Sequence, residues 1–316
     1  MAISKQKSNK LNRRQFIKNS ATTVVAASTL APFFRNRTYA VSKKGETNMK
    51  CLDIDKHFRE IGTWVNWDKT TDTFKAGESN KPVKKVAVAW KASWDAMKEA
   101  VSRGADLFIS HESICVNAVN GSPEPEKVFA LPSEKPKFDW LEKTGLVVYR
   151  CHNVWDRFPK EGIRDTWQRE LKLGNKIIAD EYPRYVTEVD PISLGDLTRH
   201  ILKRIKPLKE NGVLVTGDMS RMVSKIGTGT GVTVDPEKFY ELGADVGIMT
   251  DDYYTHVRSG VLAQELDFPT IFVNHGVSEE WGIQNLASYL KRIFPELEVF
   301  HIPQYCPYKM VVNDDF

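Results

Sequence analysis

Four short apolar runs in this chain each end in a histidine or a carboxylate. "DLFIS" is followed by His111 and Glu112, and "LVVYRC" by His152 with Asp156 four residues on. "DVGIMT" is followed by Asp251 and Asp252 with His256 beyond, and "TIFVN" by His275 with Glu279 four on. Helical-looking segments lie between the runs. Strand alternating with helix predicts α/β layers with largely parallel or mixed sheets. In an open α/β sheet, groups just past the carboxyl ends of the strands gather along one edge, however far apart they are in sequence. One pattern thus constrains both the fold and the place of a site.

The remaining elements follow from periodicity. "CLDIDKHFREIGTWV" reads as an opening helix and "KKVAVAW" as a strand. "SWDAMKEAVSRG" has helical spacing, with Ser93 as N-cap and Gly104 at its end. "KFDWLEKTG" and "GIRDTWQRELKLG" are further helices. In the second half, "SLGDLTRHILKRI", "DPEKFYELG", "YTHVRSGVLAQEL" and "SEEWGIQNLASYLKRIF" read as helices, and "VSKIG" and "LEVFHI" as strands. A weak internal echo links "KKVAVAW…RGADLFISHE" to "VSKIGTGTG…LGADVGIMTDD". It predicts two similar α/β lobes, about 51–180 and 190–305, within one domain over 41–316. "NAVNGSPEPEKV" is the clearest loop. It is either a plain surface insertion or a rim beside the site.

The strand-end residues have the composition of a metal centre. Four of the seven histidines stand at these positions. Imidazole and carboxylate without thiolate suit a catalytic centre of zinc, iron or manganese. The donors outnumber what one tetrahedral zinc needs, so two metals, sharing a water or hydroxide as nucleophile, fit the count. Taken singly, each residue has a blander reading. A lone histidine is ordinarily a hydrogen-bonded structural group. Glu279, with Ser278 as helix N-cap, satisfies the first-turn preference for a carboxylate. "GTGTG", Gly227 to Gly231, either cradles a phosphate or makes a tight turn needing positive φ. No G-x-S-x-G occurs, which disfavours a Ser-His-Asp hydrolase.

The N-terminus reads as an address. Paired Arg13 and Arg14 precede Phe16, then comes the apolar run "ATTVVAASTLAPFF", then Ala40 as a cleavage point. This order predicts a signal peptide over 1–40 resembling a twin-arginine signal, and a periplasmic or secreted protein with no stable membrane insertion after its removal. Pro32 interrupts the run, against a transmembrane anchor. The segment holds eight of the 45 basic residues and no acidic ones, leaving 37 basic against 41 acidic residues, a net charge of −4. The overall excess of base therefore gives no argument for nucleic-acid binding. Cys51, Cys115, Cys151 and Cys306 form no C-x-x-C pair and are expected to be mostly free and buried, with Cys115 and Cys151 the pair to test.

From about Cys51 to Tyr305 the chain resembles the GTP cyclohydrolase 1 type 2, or Nif-three-like, proteins. The motifs "GADLFISHES", "HNVWD", "GADVGIMTDDYYTH" and "NHGVSE" stand in the family's order. The resemblance implies a two-lobed α/β fold with the metal site at strand carboxyl ends between the lobes, two divalent metal ions, and a homo-oligomer such as a hexamer or trimer of dimers. Carried over by position, the metal ligands are His111, Glu112, Asp156, His275 and Glu279. His152 and His256 are neighbours that orient ligands or carry protons. Glu112 departs from the family, which has a second histidine there. The expectation is an exported dinuclear metal-dependent hydrolase of a small-molecule substrate. The alternative is a non-catalytic metal-binding scaffold or regulatory protein. An exported enzyme meets little GTP, so that substrate is not carried over.

Overall fold

The computed structural model describes residues 48–115, 131–231, 235–253 and 260–311. Residues 1–40, the loop Asn117 to Val128 and His256 lie outside the described residues. The architecture is mixed α/β with two sheets. The five-stranded sheet has order β1-β4-β3-β2-β11, with β1 Phe74–Ala76, β2 Lys85–Lys91, β3 Leu107–Glu112, β4 Val147–Arg150 and β11 Glu298–His301. The six-stranded sheet has order β5-β6-β8-β9-β10-β7. Its strands are β5 Lys176–Glu181, β6 Arg184–Ser193, β7 Leu214–Thr216, β8 Met222–Thr228, β9 Val246–Thr250 and β10 Thr270–Val273.

In the five-stranded sheet, alternate residues face opposite layers, as strand geometry requires. Val86, Val88, Leu107, Ile109, Val147 and Tyr149 pack against Ile54 and Phe58 of α1 (Cys51–Ile61) and Ile283, Leu286 and Leu290 of the long C-terminal helix. Ala87, Ala89, Phe108 and Val148 turn the other way, towards Ala96, Met97 and Ala100 of α2 (Trp94–Ser102) and Leu141 of α3 (Lys135–Thr144). Both faces are covered, which is why these strands read as continuous apolar runs.

The six-stranded sheet does the same. Ile226, Ile248 and Ile271 meet Leu197, Ile201 and Ile205 of α6 (Leu194–Ile205), while Met249 and Phe272 meet Phe239 of α7 (Pro236–Glu241). Between the sheets in sequence lie α4 (Asn153–Asp156) and α5 (Ile163–Glu170); α8 (Leu262–Glu265) precedes β10, and α9 is His275–Ile293. Among the described residues no helix is long and apolar enough to cross a membrane.

Several boundaries differ from the sequence reading. The opening helix stops at Ile61: Gly62 leaves the helical conformation as its C-cap, its N–H donating to the Phe58 carbonyl, and a Cβ there would sit 2.8 Å from a Val154 methyl carbon. β3 does not end at Ser110. It runs to Glu112, because Lys91 of β2 stays in register with Glu112. β1, β5, β6 and β7 have no counterpart in the apolar-run pattern: β1, β5 and β7 are partly exposed sheet edges, and β6, paired on both sides, is interrupted by polar, partly exposed residues. β1/β4, β7/β10, β5/β6 and β6/β8 pair antiparallel and make the sheets mixed.

Candidate metal centre

Two parallel strand pairs, one from each sheet, deliver the functional groups. β3 and β4 run in parallel register, Ser110 opposite Arg150, so His111 and Glu112 emerge beside Cys151 and His152. β9 and β10 are likewise parallel, Thr250 opposite Val273, so Asp251 and Asp252 emerge beside Asn274 and His275. The sheet-edge picture holds within each pair, and the donors converge from the two sheets, as the site between lobes implied by the resemblance requires.

Short helices then set the remaining donors. Asp72, fully buried in the loop before β1, accepts the backbone N–H groups of Asn153 and Val154 at 2.9 and 2.8 Å. It thereby caps α4 from a distance and fixes the turn that carries Asp156. The long helix α9 begins at His275, not after Ser278. Asn274 is its N-cap, accepting from the Val277 amide, and the Ser278 hydroxyl donates instead to the His275 carbonyl. Starting the helix four residues earlier puts His275 and Glu279 one turn apart on the same face.

The result is a buried cluster of three imidazoles and three carboxylates. His111, Glu112 and His152 form one group with metal-ligand spacing, His111, Asp156 and Glu279 a second, and Glu112, His275 and Glu279 a third. His111 Nε2 is 3.3 Å from Asp156 Oδ1 and 3.5 Å from Glu279 Oε2. His275 Nε2 is 3.0 Å from Glu279 Oε1. His152 lies between Asp156 (Nδ1 to Oδ2, 3.0 Å) and Glu112 (Nε2 to Oε1, 3.4 Å), and its ring stacks on that of His111 at 4.5 Å. All five expected ligands and His152 are therefore brought together.

Outer contacts orient the rings. His111 Nδ1 donates to the Cys151 carbonyl at 3.0 Å, which leaves Nε2 with its lone pair facing the carboxylates. His275 Nδ1 is held by Asp252, while Asp251 accepts the His275 amide at 2.8 Å and the Asn274 side chain at 2.8 Å. Trp90 donates its indole N–H to Glu279 Oε2 at 2.8 Å and packs edge-on to His275. A Tyr182 hydroxyl reaches Asp156 at 3.3 Å. Sequence reasoning missed Trp90, Tyr182, Asp72 and Arg150 as contributors to the site. Only Arg150 carried a signal, as a charge closing an otherwise apolar strand.

The Gly-rich turn also touches the cluster. Gly227 lies inside β8, pressed against Phe239. Gly231 has φ +71°, and a Cβ there would sit 3.7 Å from Glu279 Oε1 and 3.8 Å from His275 Nε2. The turn thus meets the positive-φ reading and walls the cluster with backbone. None of the four cysteines is in a disulfide: Cys51, Cys115 and Cys151 are buried and Cys306 is half-buried.

The donor set fits divalent cations. The Nε2 atoms of His111 and His275 are buried without a hydrogen-bond partner, although carboxylate oxygens lie close to each. Nitrogens near oxygens but not aligned to them are what a ligand shell looks like, and buried polar atoms otherwise find partners. The electrostatics agree. Burial would push the Glu112 carboxyl up, but His152, His275 and His111 hold it well below the usual range. Burial likewise opposes ionisation of Asp156, and His152 and His111 lower it further than burial raises it. Burial disfavours protonated His152 and His275, yet Asp156 and Glu112 raise the first, and Glu279, Asp252 and Glu112 the second, well above the ordinary imidazole value. Carboxylates at this density hold positive charge, as protons or as metal.

With this geometry in hand, the comparisons with known proteins are specific. The model of the Duf34/NIF3 (NGG1p interacting factor 3) family matches residues 61–307. A GTP cyclohydrolase 1 type 2 homolog of Clostridium perfringens is 25% identical over 247 residues, covering 74% of this chain and 88% of that protein. A protein of the same description from Borreliella burgdorferi is 28% identical over 244 residues, covering 76% and 91%. Among solved structures, a Bacillus cereus protein related to NIF3 superposes with a TM-score of 0.68 at 14% identity, covering 84% of this chain and 100% of that one.

Proposed function

The chain belongs to the Duf34/NIF3 family, and from that premise we propose that it is a metal-dependent hydrolase with two divalent ions, zinc, iron or manganese, acting on a small molecule. The observation that carries this reading is the pair of buried, unpartnered imidazole nitrogens, His111 Nε2 and His275 Nε2, facing three carboxylates. When bound, a pair of divalent ions supplies Lewis acidity and lowers the pKa of water.

The chain's own residues do the rest. His111, Asp156 and Glu279 would hold one ion, and Glu112, His275 and Glu279 the other. Asp252 and the Cys151 carbonyl fix the two imidazoles in the tautomer that leaves Nε2 free. His152, between Asp156 and Glu112, is suited to hold a proton at Nε2 and release it to a leaving group. His256, which follows Asp252 by four residues, is assigned a second proton-carrying role from its place in the motif. A cleft of about 630 Å³ lies against Asp252, His275 and Trp90, room enough for a small substrate. Export by a twin-arginine route and assembly into a ring of identical subunits complete the proposal, resting on the N-terminal sequence and on the family resemblance.

The test is metal content per chain, followed by turnover on a panel of amide, cyclic amidine, ester and phosphoester substrates. Two ions and turnover abolished by His275→Ala support the reading. Two ions with no turnover on any substrate favour the scaffold alternative. One ion or none, unchanged in His275→Ala, sinks the dinuclear centre.

A further inference from the structure

Arg150, the last residue of β4, is fully buried. A buried guanidinium is costly unless it is paired and hydrogen-bonded, so the destinations of its protons matter. Nε donates to the His111 carbonyl at 3.0 Å, and Nη2 donates to Glu112 Oε2 at 3.2 Å. The Ser113 amide donates to the same carboxylate oxygen at 3.3 Å. The other oxygen, Oε1, faces His152 Nε2 at 3.4 Å and His275 Nε2 at 3.8 Å. The two oxygens of one carboxylate are thus divided between an anchor and the donor cluster.

Two other buried or half-buried cations stand near. Lys91 gives its ammonium to the Ser113 carbonyl at 2.9 Å, and Lys137 to the Ile114 carbonyl at 2.6 Å. Both tie down the chain just after Glu112. The guanidinium is the group placed on the carboxylate itself. Its positive charge cancels that of Glu112, so the pair brings an oxygen donor to the cluster without adding net charge.

We propose that Arg150 is a positioning residue that makes Glu112 a one-oxygen, charge-neutralised metal ligand, and so sets the affinity of the position Glu112 forms with His275 and Glu279. This rests on the metal reading above. The position built on His111, Asp156 and Glu279 does not use the Glu112 carboxylate and is expected to be left largely unchanged.

The experiment is zinc titration of the purified chain against a chromophoric chelator, giving stoichiometry and stepwise affinity. It compares wild type, Arg150→Met, Arg150→Lys, Glu112→His and the double variant Glu112→His/Arg150→Met. Wild type should take two ions. Arg150→Met should keep one and weaken the other by about 10–100-fold, the usual cost of losing a ligand's outer partner. Arg150→Lys, which keeps the charge but not the fork, should fall between. Glu112→His alone should also lose the second ion, since a neutral imidazole then faces an unbalanced guanidinium. The double variant places a neutral donor beside a neutral neighbour and should recover the second ion to within about 10-fold of wild type. Recovery in the double variant is something loss of fold could not produce. If Arg150→Met does not fold, Glu112→His and the double variant decide. Losses that add in the double variant, or two full-affinity ions in both Arg150 variants, overturn the proposal while the dinuclear reading stands. A wild-type chain that takes up no ion overturns that reading and this one with it.

Discussion

The units β2–α2–β3 and β8–α7–β9 share a scaffold down to single atoms. Each is a parallel strand–helix–strand unit. Each helix is capped by a side chain, Ser93 accepting from the Ala96 amide and Asp235 from the Lys238 amide. Each is followed by a glycine at positive φ, Gly104 at +74° and Gly243 at +78°. Each then presents an aspartate whose Oδ2 accepts two consecutive amides near the start of the preceding strand. Asp106 takes those of Lys84 and Lys85 at 2.9 and 3.0 Å, and Asp245 those of Ser224 and Lys225 at 3.0 Å each. The "GAD" echo in the sequence is this clamp.

The units part company where the second strand ends. β3 continues through His111 and Glu112, and both become members of the donor groups. β9 stops at Thr250 and turns, so Asp251 and Asp252 serve the backbone and ring of His275 rather than a metal-ligand group. One scaffold therefore supplies donors directly in one lobe and orients a donor carried by the next strand in the other. The difference lies in how far the strand runs before the chain turns.

The contrast predicts a graded response. His111→Ala removes a nitrogen that belongs to two of the three donor groups, and metal analysis should show at least one ion lost outright. Asp252→Asn removes only an orienting charge. Both ions should still bind at saturation, with one weakened about 10–100-fold in a chelator competition. Equal losses in the two variants would erase the distinction between donor and support.

Acidity probes both lobes at once, in metal-free protein. His152 and His275 have folded pKa values raised above the unfolded imidazole value of about 6.5. Their stabilisation is complete below that value and is lost as pH rises through the raised folded pKa. Glu112 and Asp156 are depressed, so theirs is present above about 4 and is lost as pH falls through the lowered values. The melting temperature of metal-free protein should fall by several degrees as pH rises above about 6.5. Bound divalent ions should abolish that alkaline loss, and a loss that persists in the metal-loaded protein would contradict the assignment.

The shared scaffold should respond alike in both lobes. Asp106→Ala and Asp245→Ala each strand two backbone N–H groups and should cost about 1–3 kcal/mol in urea unfolding. Smallest is the glycine pair. Nothing lies within 4 Å of a Cβ at either Gly104 or Gly243, so Gly→Ala there should cost only the positive-φ strain, about 1 kcal/mol. Clearly unequal costs within either pair would show that the echo is one of sequence and not of structure.

Much of this was legible beforehand, for identifiable reasons. The doubly covered strands β2, β3, β4, β8, β9 and β10 announce themselves as apolar runs. Strands β5 and β6 do not, because β5, "KIIADE", is a largely exposed edge and β6, "RYVTEVDPIS", although paired on both sides, is interrupted by polar, partly exposed residues. His111, Glu112, Asp156, His275 and Glu279 were readable from strand ends and motif. The start of α9 was not, since Asn274 and Ser278 are both good caps and only packing chooses between them. Trp90, Tyr182 and Asp72 were invisible because their partners lie 189, 26 and 81 residues away.

The amino-acid sequence alone determined the alternation of strand and helix, the two-lobed repeat and the kinds of donor at four strand ends. These depend on local periodicity and on residue chemistry, which a single chain displays directly. Tertiary structure decided the register that brings the donors together, that Asp251 and Asp252 contact His275 instead of joining a donor group, and that Arg150 takes one oxygen of Glu112. Those outcomes depend on strand register and on where each strand stops. Both are set by long-range pairing that no local pattern records.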